Sequence, residues 1–306
     1  MNLVDLCSAM NWLAVRTWQD YADSSRYRLS LDEETTTDRN LLELRRLFPD
    51  LHVHKYTRQR EHTVGADWEW WIGSDSEGWL CLRIQAKRVF ATTYKQLDHP
   101  GAKRGVHQGK YQYDTLISSC RMAGYIFPFH VFYNGWEASR FARRSGTRLD
   151  LAALELNDFW PRYGPRYGAR AWGCAALSTY RVASLHSVGG PTRSSVPRYL
   201  EHSVPWSELF TIASAPDSQD HRTELDLLQE SLTTATTHAT APMSGGETEL
   251  AAHPERRRER LPEYVQIILA GRSDGADIGM FRDYGFLPAK RVVVVPLDHN
   301  TARNQD

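Results

Sequence analysis

Between Gly65 and Arg88 the chain reads GADWEWWIGSDSEGWLCLRIQAKR, and the fold turns on how this stretch is understood. ADWEWWIG is rich in aromatic residues and WLCLRIQAKRV is a long apolar run, both compositions of strands. GSDSEG between them is turn composition. A turn centred between Asp75 and Ser76 pairs the halves antiparallel, with Asp67 opposite Ile84 and Ala66 opposite Gln85, so Asp67 and Gln85 become neighbours. Alternation along each strand puts Gln85 and Lys87 on one face of theirs, and Asp67 and Glu69 on one face of theirs. A register slip of one residue leaves both Asp67 and Glu69 open as the acid of the pair, with Asp67 the better placed. Trp68 and Trp70 take the opposite face and are expected to pack against a helix layer. A solvated hairpin face is the plain alternative; a glutamine and a lysine set inside an otherwise apolar run argue for something more specific.

Outward from the hairpin, Leu3, Leu6, Met10, Leu13 and Ala14 recur at helical spacing, which predicts an amphipathic helix over residues 2–22. A second helix is expected in SLDEETTTDRNLLELRRLFPDL, with an acidic start suited to a helix N-terminus and Pro49 as its stop. Leu41, Leu44 and Phe48 share one face, and counting back seven from Leu41 reaches Glu34, which places a carboxylate on the core side. LHVHKYT alternates as a strand. GKYQYDTLISSCRMA reads as a helix and YIFPFHVFYN as another strand, so helices and strands alternate as in a mixed α/β core. AWGCAALSTYRVASL adds a further core segment. Residues 213–258 are rich in Ser, Thr, Ala and acids and read as a linker with one weak helix near Leu225–Leu232. The helix LPEYVQIILAG and the strand RVVVVPL then form a small appendage over 259–306, leaving 1–212 as the main domain.

With 306 residues the chain is long enough for one substantial core and an accessory piece. Lys plus Arg and Asp plus Glu both number 37, so no global field advertises a polyanionic partner and nucleic-acid contacts must be local. Cys7, Cys81, Cys120 and Cys174 lie far apart among apolar neighbours, which fits a reducing cytoplasm and argues against a zinc site. No run of residues is long and apolar enough to span a bilayer, so a cytoplasmic protein with no membrane partner is expected.

A carboxylate, a carboxamide oxygen and an ammonium brought together suit phosphodiester hydrolysis. Mg²⁺ or Mn²⁺ takes oxygen ligands, keeps several waters and lowers the pKa of one, while a lysine orients that water and stabilises charge on the phosphoryl oxygens. Asp67 and Gln85 are the expected ligands, Glu69 competes with Asp67, and Glu34 is expected to complete the shell from the preceding helix.

These residues resemble a known superfamily. GAD followed after a short hairpin by IQAKR is similar to the restriction-endonuclease-like PD-(D/E)xK nucleases, particularly their Mrr-like branch, in which Gln stands for the acid before the lysine. The resemblance covers residues 30–135. It implies a restriction-endonuclease-like core, with Asp67 as the metal-binding acid, Gln85 and Lys87 as the QxK pair, Glu34 as the acid of the first helix, and Gln112 in YQYDTLI as a functional glutamine on the helix after the core strand. No Pro precedes Asp67, a departure from the superfamily's pattern. The implied activity is that of a metal-dependent DNA endonuclease, in bacterial restriction or antiphage defence, acting alone or with a defence-system partner protein. Double-strand cutting would call for a homodimer. The alternative is a non-catalytic nucleic-acid-binding or interaction module on the same fold.

Backbone contacts to DNA are expected from Arg88 and from two basic segments, KRGVHQGKYQY with Lys103, Arg104 and Lys110, and RFARRSGTR with Arg143 and Arg144. Tyr163 and Tyr167 of PRYGPRYG are more readily read as an aromatic turn than as a base-stacking pair. His52 and His54 share a strand face but lack an evident third ligand, so they are read as ordinary strand polarity.

Overall fold

The computed structural model describes residues 1–56, 64–98, 110–121, 125–136, 169–211, 222–237, 257–271 and 287–297. It has the mixed α/β architecture expected from the sequence: a seven-stranded mixed sheet flanked by helices, with strand order β1-β7-β2-β3-β4-β5-β6. Two helices come first, α1 (Leu3–Tyr27) and α2 (Glu33–Leu47). The strands are β1 (His52–Lys55), β2 (Trp68–Ser74), β3 (Gly78–Arg88), β4 (Ile126–Tyr133), β5 (Cys174–Ser178), β6 (Val204–Pro205) and β7 (Arg291–Pro296). The remaining α-helices are α3 (Gln112–Arg121), α4 (Thr179–Ser187), α5 (Val196–Leu200), α6 (Glu224–Thr237) and α7 (Glu263–Leu269).

The central hairpin forms with a register one residue from the one expected. Trp68 pairs with Ile84 and Ser74 with Gly78, so the turn is centred on Ser76. The same register continued by one residue sets Asp67 across from Gln85. Two layers enclose the sheet. On one face Trp68, Trp70, Leu80, Leu82 and Ile84 pack with the apolar stripe of α1 and with α6. On the other, Trp71, Cys81, Leu116 and Cys120 pack with Leu261, Tyr264 and Val265 around α7. Trp68 and Trp70 are fully buried, as the alternation requires, and Trp70 meets Phe210 edge-on at 5.3 Å between ring centroids.

The C-terminal strand corrects the reading of 259–306 as an appendage. β7 lies inside the sheet, parallel to β2 and antiparallel to β1. Val292, Val293, Val294 and Val295 are all fully buried. Four consecutive β-branched residues present apolar surface to both sides, and only a strand covered on both faces removes that surface from water. The supposed linker is corrected in part as well: α6 buries Leu225, Leu228 and Leu232 in the main core, while 212–221 and 238–256 fall outside the described residues. Among the described residues no helix is long and apolar enough to cross a membrane.

Candidate active site

Seven segments converge on one cavity of about 700 Å³, whose walls include Glu33, Asp67, Gln85, Lys87, Gln112 and Arg291. Gln85 and Lys87 enter it from the C-terminal half of β3, where alternation aims both toward α3. Asp67 comes from the residue before β2. Its Oδ2 accepts the backbone N–H of Ala86 at 2.7 Å, and its own N–H donates to the Ile84 carbonyl at 2.8 Å, which fixes the carboxylate against β3.

Gln112 is the first residue of α3, and its Oε1 accepts both Lys87 Nζ at 2.8 Å and Gln85 Nε2 at 3.0 Å. Gly65 makes this approach possible. It has φ +69°, and a Cβ there would stand 2.7 Å from the Leu116 nitrogen and 2.9 Å from the Gln112 carbonyl, so any larger residue would push α3 off the hairpin.

Lys87 is only 4% exposed, and its ammonium is held in place by one side-chain oxygen. Gln85 Oε1 is buried and has no hydrogen-bond partner among the described residues. A carbonyl oxygen left unmatched in the interior is costly, and here it belongs to a residue that lines the cavity. On the neighbouring strand His130 stands beside Gln85 in register. Burial, reinforced by the charge of Lys87, holds its imidazole well below the usual histidine range, hence neutral.

The first turn of α2 brings both Glu33 and Glu34 to the cavity wall, and the two are engaged differently. Glu33 Oε1 accepts the Arg88 N–H at 2.9 Å. Burial holds its carboxyl above the usual range against the favourable charge of Lys87, and the nearby Asp67 raises it further. Glu34 is 42% exposed and forms an ion pair with Lys290 at 2.5 Å, which holds its carboxyl below the usual range. The expectation that Glu34 is the acid the first helix brings to the site is therefore corrected in part: Glu34 lines the cavity, but its carboxylate is engaged by Lys290, and Glu33 is the acid that shares the site with Lys87 and Asp67. The residues α2 buries are Thr36, Thr37, Asn40, Leu41 and Leu44. At about 100° per residue Glu33 falls near the middle of their arc and Glu34 roughly 90° to one side. A count that uses leucines alone misses this, because half of the buried stripe is polar: Thr37 bonds the Tyr133 hydroxyl at 2.8 Å and Thr36 that of Tyr21 at 3.1 Å.

Glu69 is the second correction. It lies on the same face of β2 as Asp67 but is fully buried and engaged on all sides. Oε2 accepts Arg83 Nε at 3.1 Å, and Oε1 accepts Trp71 Nε1 at 3.1 Å and the Tyr264 hydroxyl. Arg83 is its direct cross-strand partner and is itself buried. Glu69 has no access to the cavity, and a metal ligand at that position would have to break a buried ion pair.

Of the expected DNA contacts, Arg88 lines the cavity and donates from Nη1 to the Leu31 carbonyl and to Ser30 Oγ. Lys110 is exposed just before α3. Lys103, Arg104, Arg143 and Arg144 lie outside the described residues, as do Tyr163 and Tyr167.

Arg291 of β7 was missed by the sequence reading. It is 1% exposed, its Nε donates to Asp38 and its Nη1 to the Asp67 carbonyl at 3.4 Å. The signal available was an arginine opening a strand that belongs inside the sheet.

The donor set suits a hard divalent cation. Asp67 and Glu33 bring two carboxylates, that of Glu33 held above its usual range by burial and further by Asp67, and Gln85 Oε1 is a neutral oxygen with no hydrogen-bond partner among the described residues. Mg²⁺ commonly takes one or two carboxylates and fills its shell with water and substrate oxygens. Among the described residues no group of three or more His, Cys, Asp and Glu side chains gathers as a metal cluster.

A search of curated proteins finds no match to this chain. A family model does match, over residues 6–300, nearly the whole sequence, and the chain belongs to that family, a family of unknown function designated DUF6615.

Proposed function

We propose that this protein is a metal-dependent nuclease that hydrolyses phosphodiester bonds in DNA. The observation that carries the reading is the convergence, in one cavity, of two carboxylates, an unpartnered carboxamide oxygen and a buried ammonium. The arrangement agrees with the resemblance to the PD-(D/E)xK nucleases at Asp67, Gln85, Lys87 and Gln112, with Glu33 in place of Glu34 as the acid of the first helix.

Asp67, Glu33 and Gln85 Oε1 would hold Mg²⁺ or Mn²⁺, which supplies charge neutralisation at the phosphoryl group and acidifies water. Lys87 has three N–H donors, of which one goes to Gln112 Oε1. The other two would bind a non-bridging phosphoryl oxygen and orient the attacking water. In the reaction the water oxygen forms a bond to phosphorus and one ester P–O bond breaks. The attacking water gives up a proton to solvent, and the departing oxygen takes one up from solvent to leave as an alcohol. Gln112 fixes the Lys87 ammonium, so the lysine does not have to be ordered anew when substrate arrives. The mixed lining of carboxylates with Lys55, Arg88 and Arg291 fits a polyanion bound together with a cation.

A role in restriction or antiphage defence, a cytoplasmic setting, a homodimer for double-strand cutting and a defence-system partner protein follow from the resemblance and belong to this proposal. The test is incubation of the full chain with supercoiled plasmid in Mg²⁺, Mn²⁺ or EDTA, beside folded Lys87→Ala and Asp67→Ala proteins. Metal-dependent nicking or linearisation lost in both variants is the expected result. Equal DNA binding by all three proteins with no cutting would favour a non-catalytic binding module.

A further inference from the structure

A second pocket, of about 480 Å³, abuts the catalytic cavity and shares Arg88 and Gln96 with it; Phe90, Lys95 and Asp98 complete its lining among the described residues. Its size lies within the usual range for small-molecule sites. Phe90 stands three residues beyond Lys87 on the same chain and is 56% exposed. A single exposed aromatic is ordinary on a protein surface. What distinguishes Phe90 is the way it is presented.

Its N–H donates to the Thr93 carbonyl at 2.8 Å and its carbonyl accepts the Thr93 N–H at 3.1 Å, closing a tight turn. The turn is tied to the next layer, since the Thr92 carbonyl accepts the Val196 N–H at 3.0 Å and the Tyr94 N–H donates to Ser194 at 2.8 Å. Inside the turn Ala91 has φ +56°, a left-handed conformation that non-glycine residues adopt at a cost. The backbone is thus held in a strained form that sets an aromatic ring out into solvent in a pocket that shares Arg88 and Gln96 with the cavity of the proposed catalytic lysine.

The charges around the ring are arranged for a nucleotide. Lys95 Nζ lies 5.8 Å from the ring centroid and is exposed. Arg88, anchored through Ser30 and Leu31, stands between the ring and the catalytic cavity. Asp98 closes the pocket elsewhere, its carboxylate fixed by His186 Nε2 at 3.0 Å, Ser194 Oγ at 2.9 Å and Arg193 Nε at 2.7 Å. A carboxylate there repels a second phosphate but accepts from the amino edge of a base.

We propose that this pocket binds an unpaired nucleobase next to the scissile phosphate, with Phe90 as the stacking platform and Arg88 and Lys95 on the flanking phosphates. The inference rests on the nuclease reading for its orientation, and it commits the protein to a single-stranded or locally opened strand at the point of cutting.

The test uses the full chain carrying Lys87→Ala, so that cutting does not confound binding, and a single-stranded oligonucleotide with 2-aminopurine at successive positions. At one position binding should quench the probe. Adding Phe90→Ala should abolish that quench and weaken binding about five-fold or more, and Phe90→Trp should restore both. An abasic site at that position should weaken the Phe90-containing protein but add nothing to Phe90→Ala. Unchanged affinity and unchanged quenching in Phe90→Ala would overturn the proposal, as would an abasic penalty that persists without the ring. The plasmid assay on the wild-type chain reads the nuclease proposal separately. Quenching without any cutting would sink the nuclease and leave the base pocket standing, whereas cutting with a neutral Phe90→Ala would sink the pocket alone.

Discussion

Asp67 and Glu69 are two carboxylates on one face of one strand segment, two residues apart, and the protein uses them in opposite ways. Glu69 sits in the interior, where Arg83, Trp71 and Tyr264 account for both oxygens. Asp67 sits where β2 begins, at the mouth of a cavity that also receives Glu33, Gln85 and Lys87. Glu69 carries its counter-charge built in, as Arg83, and the burial of both makes the pair rigid and closed. Asp67 instead faces a cavity that it shares with a second acid, Glu33, and with Lys87, Arg88 and Arg291, the mixed setting that the proposed metal site calls for. Alternation alone cannot tell the two apart. The residue across the strand can: an arginine opposite Glu69, a glutamine opposite Asp67.

The comparison can be broken most decisively by kinetics. Asp67→Asn and Lys87→Ala should each lower the cleavage rate by about 10²- to 10⁴-fold with little change in urea midpoint, and an Asp67→Asn protein that cuts at the wild-type rate would end the assignment. Glu69→Ala should act on stability instead, costing about 3–5 kcal/mol because buried Arg83 loses its carboxylate counter-charge; chemical denaturation measures this, and a neutral effect would mean that the pair is not closed. Mg²⁺ at a hundred times its dissociation constant should stabilise the wild type by about 2.7 kcal/mol, and Asp67→Asn should lose most of that gain in a thermal titration.

The Glu33 prediction is smaller and concerns pH. Because burial, reinforced by Asp67, raises its carboxyl above the ordinary 4.5, the fold favours the protonated form. The stability it contributes is full below the ordinary value and is lost as pH rises through the raised one. In EDTA, Glu33→Gln should therefore match the wild type in mildly acidic buffer and exceed it in stability at neutral pH, where the Gln keeps an acceptor for the Arg88 N–H. A variant that is less stable at neutral pH would show that the charged form is the favoured one. Smallest of all, Glu34→Gln should change the cleavage rate less than about two-fold, since the Glu34 carboxylate is turned to Lys290 and not to Lys87 or Gln85.

Much of this was legible in the sequence, and the failures have physical causes. The hairpin, the shared face of Gln85 and Lys87, and the burial of Trp68 and Trp70 follow from alternation, which a one-residue change of pairing register did not upset. Gln112 was reached through the resemblance, since nothing in its local pattern announces that a helix N-terminus will meet Lys87. Glu33 was missed because the buried stripe of α2 runs through Thr36, Thr37 and Asn40, polar residues satisfied by Tyr21, Tyr133 and Thr17. Arg291 was missed with its strand. RVVVV has no polar face and belongs between two other strands, yet it comes more than 200 residues after the hairpin it joins, and such distant pairing leaves no local mark.

The measurement that tests the central claim most directly is the Mg²⁺-dependent cleavage of one supercoiled plasmid by Asp67→Asn and Glu34→Gln proteins beside the wild type, each verified as folded. The account expects cutting by the wild type, a loss of at least a hundred-fold in Asp67→Asn and near-normal cutting by Glu34→Gln. Equal rates in both variants, or no cutting by the wild type in either Mg²⁺ or Mn²⁺, would contradict it.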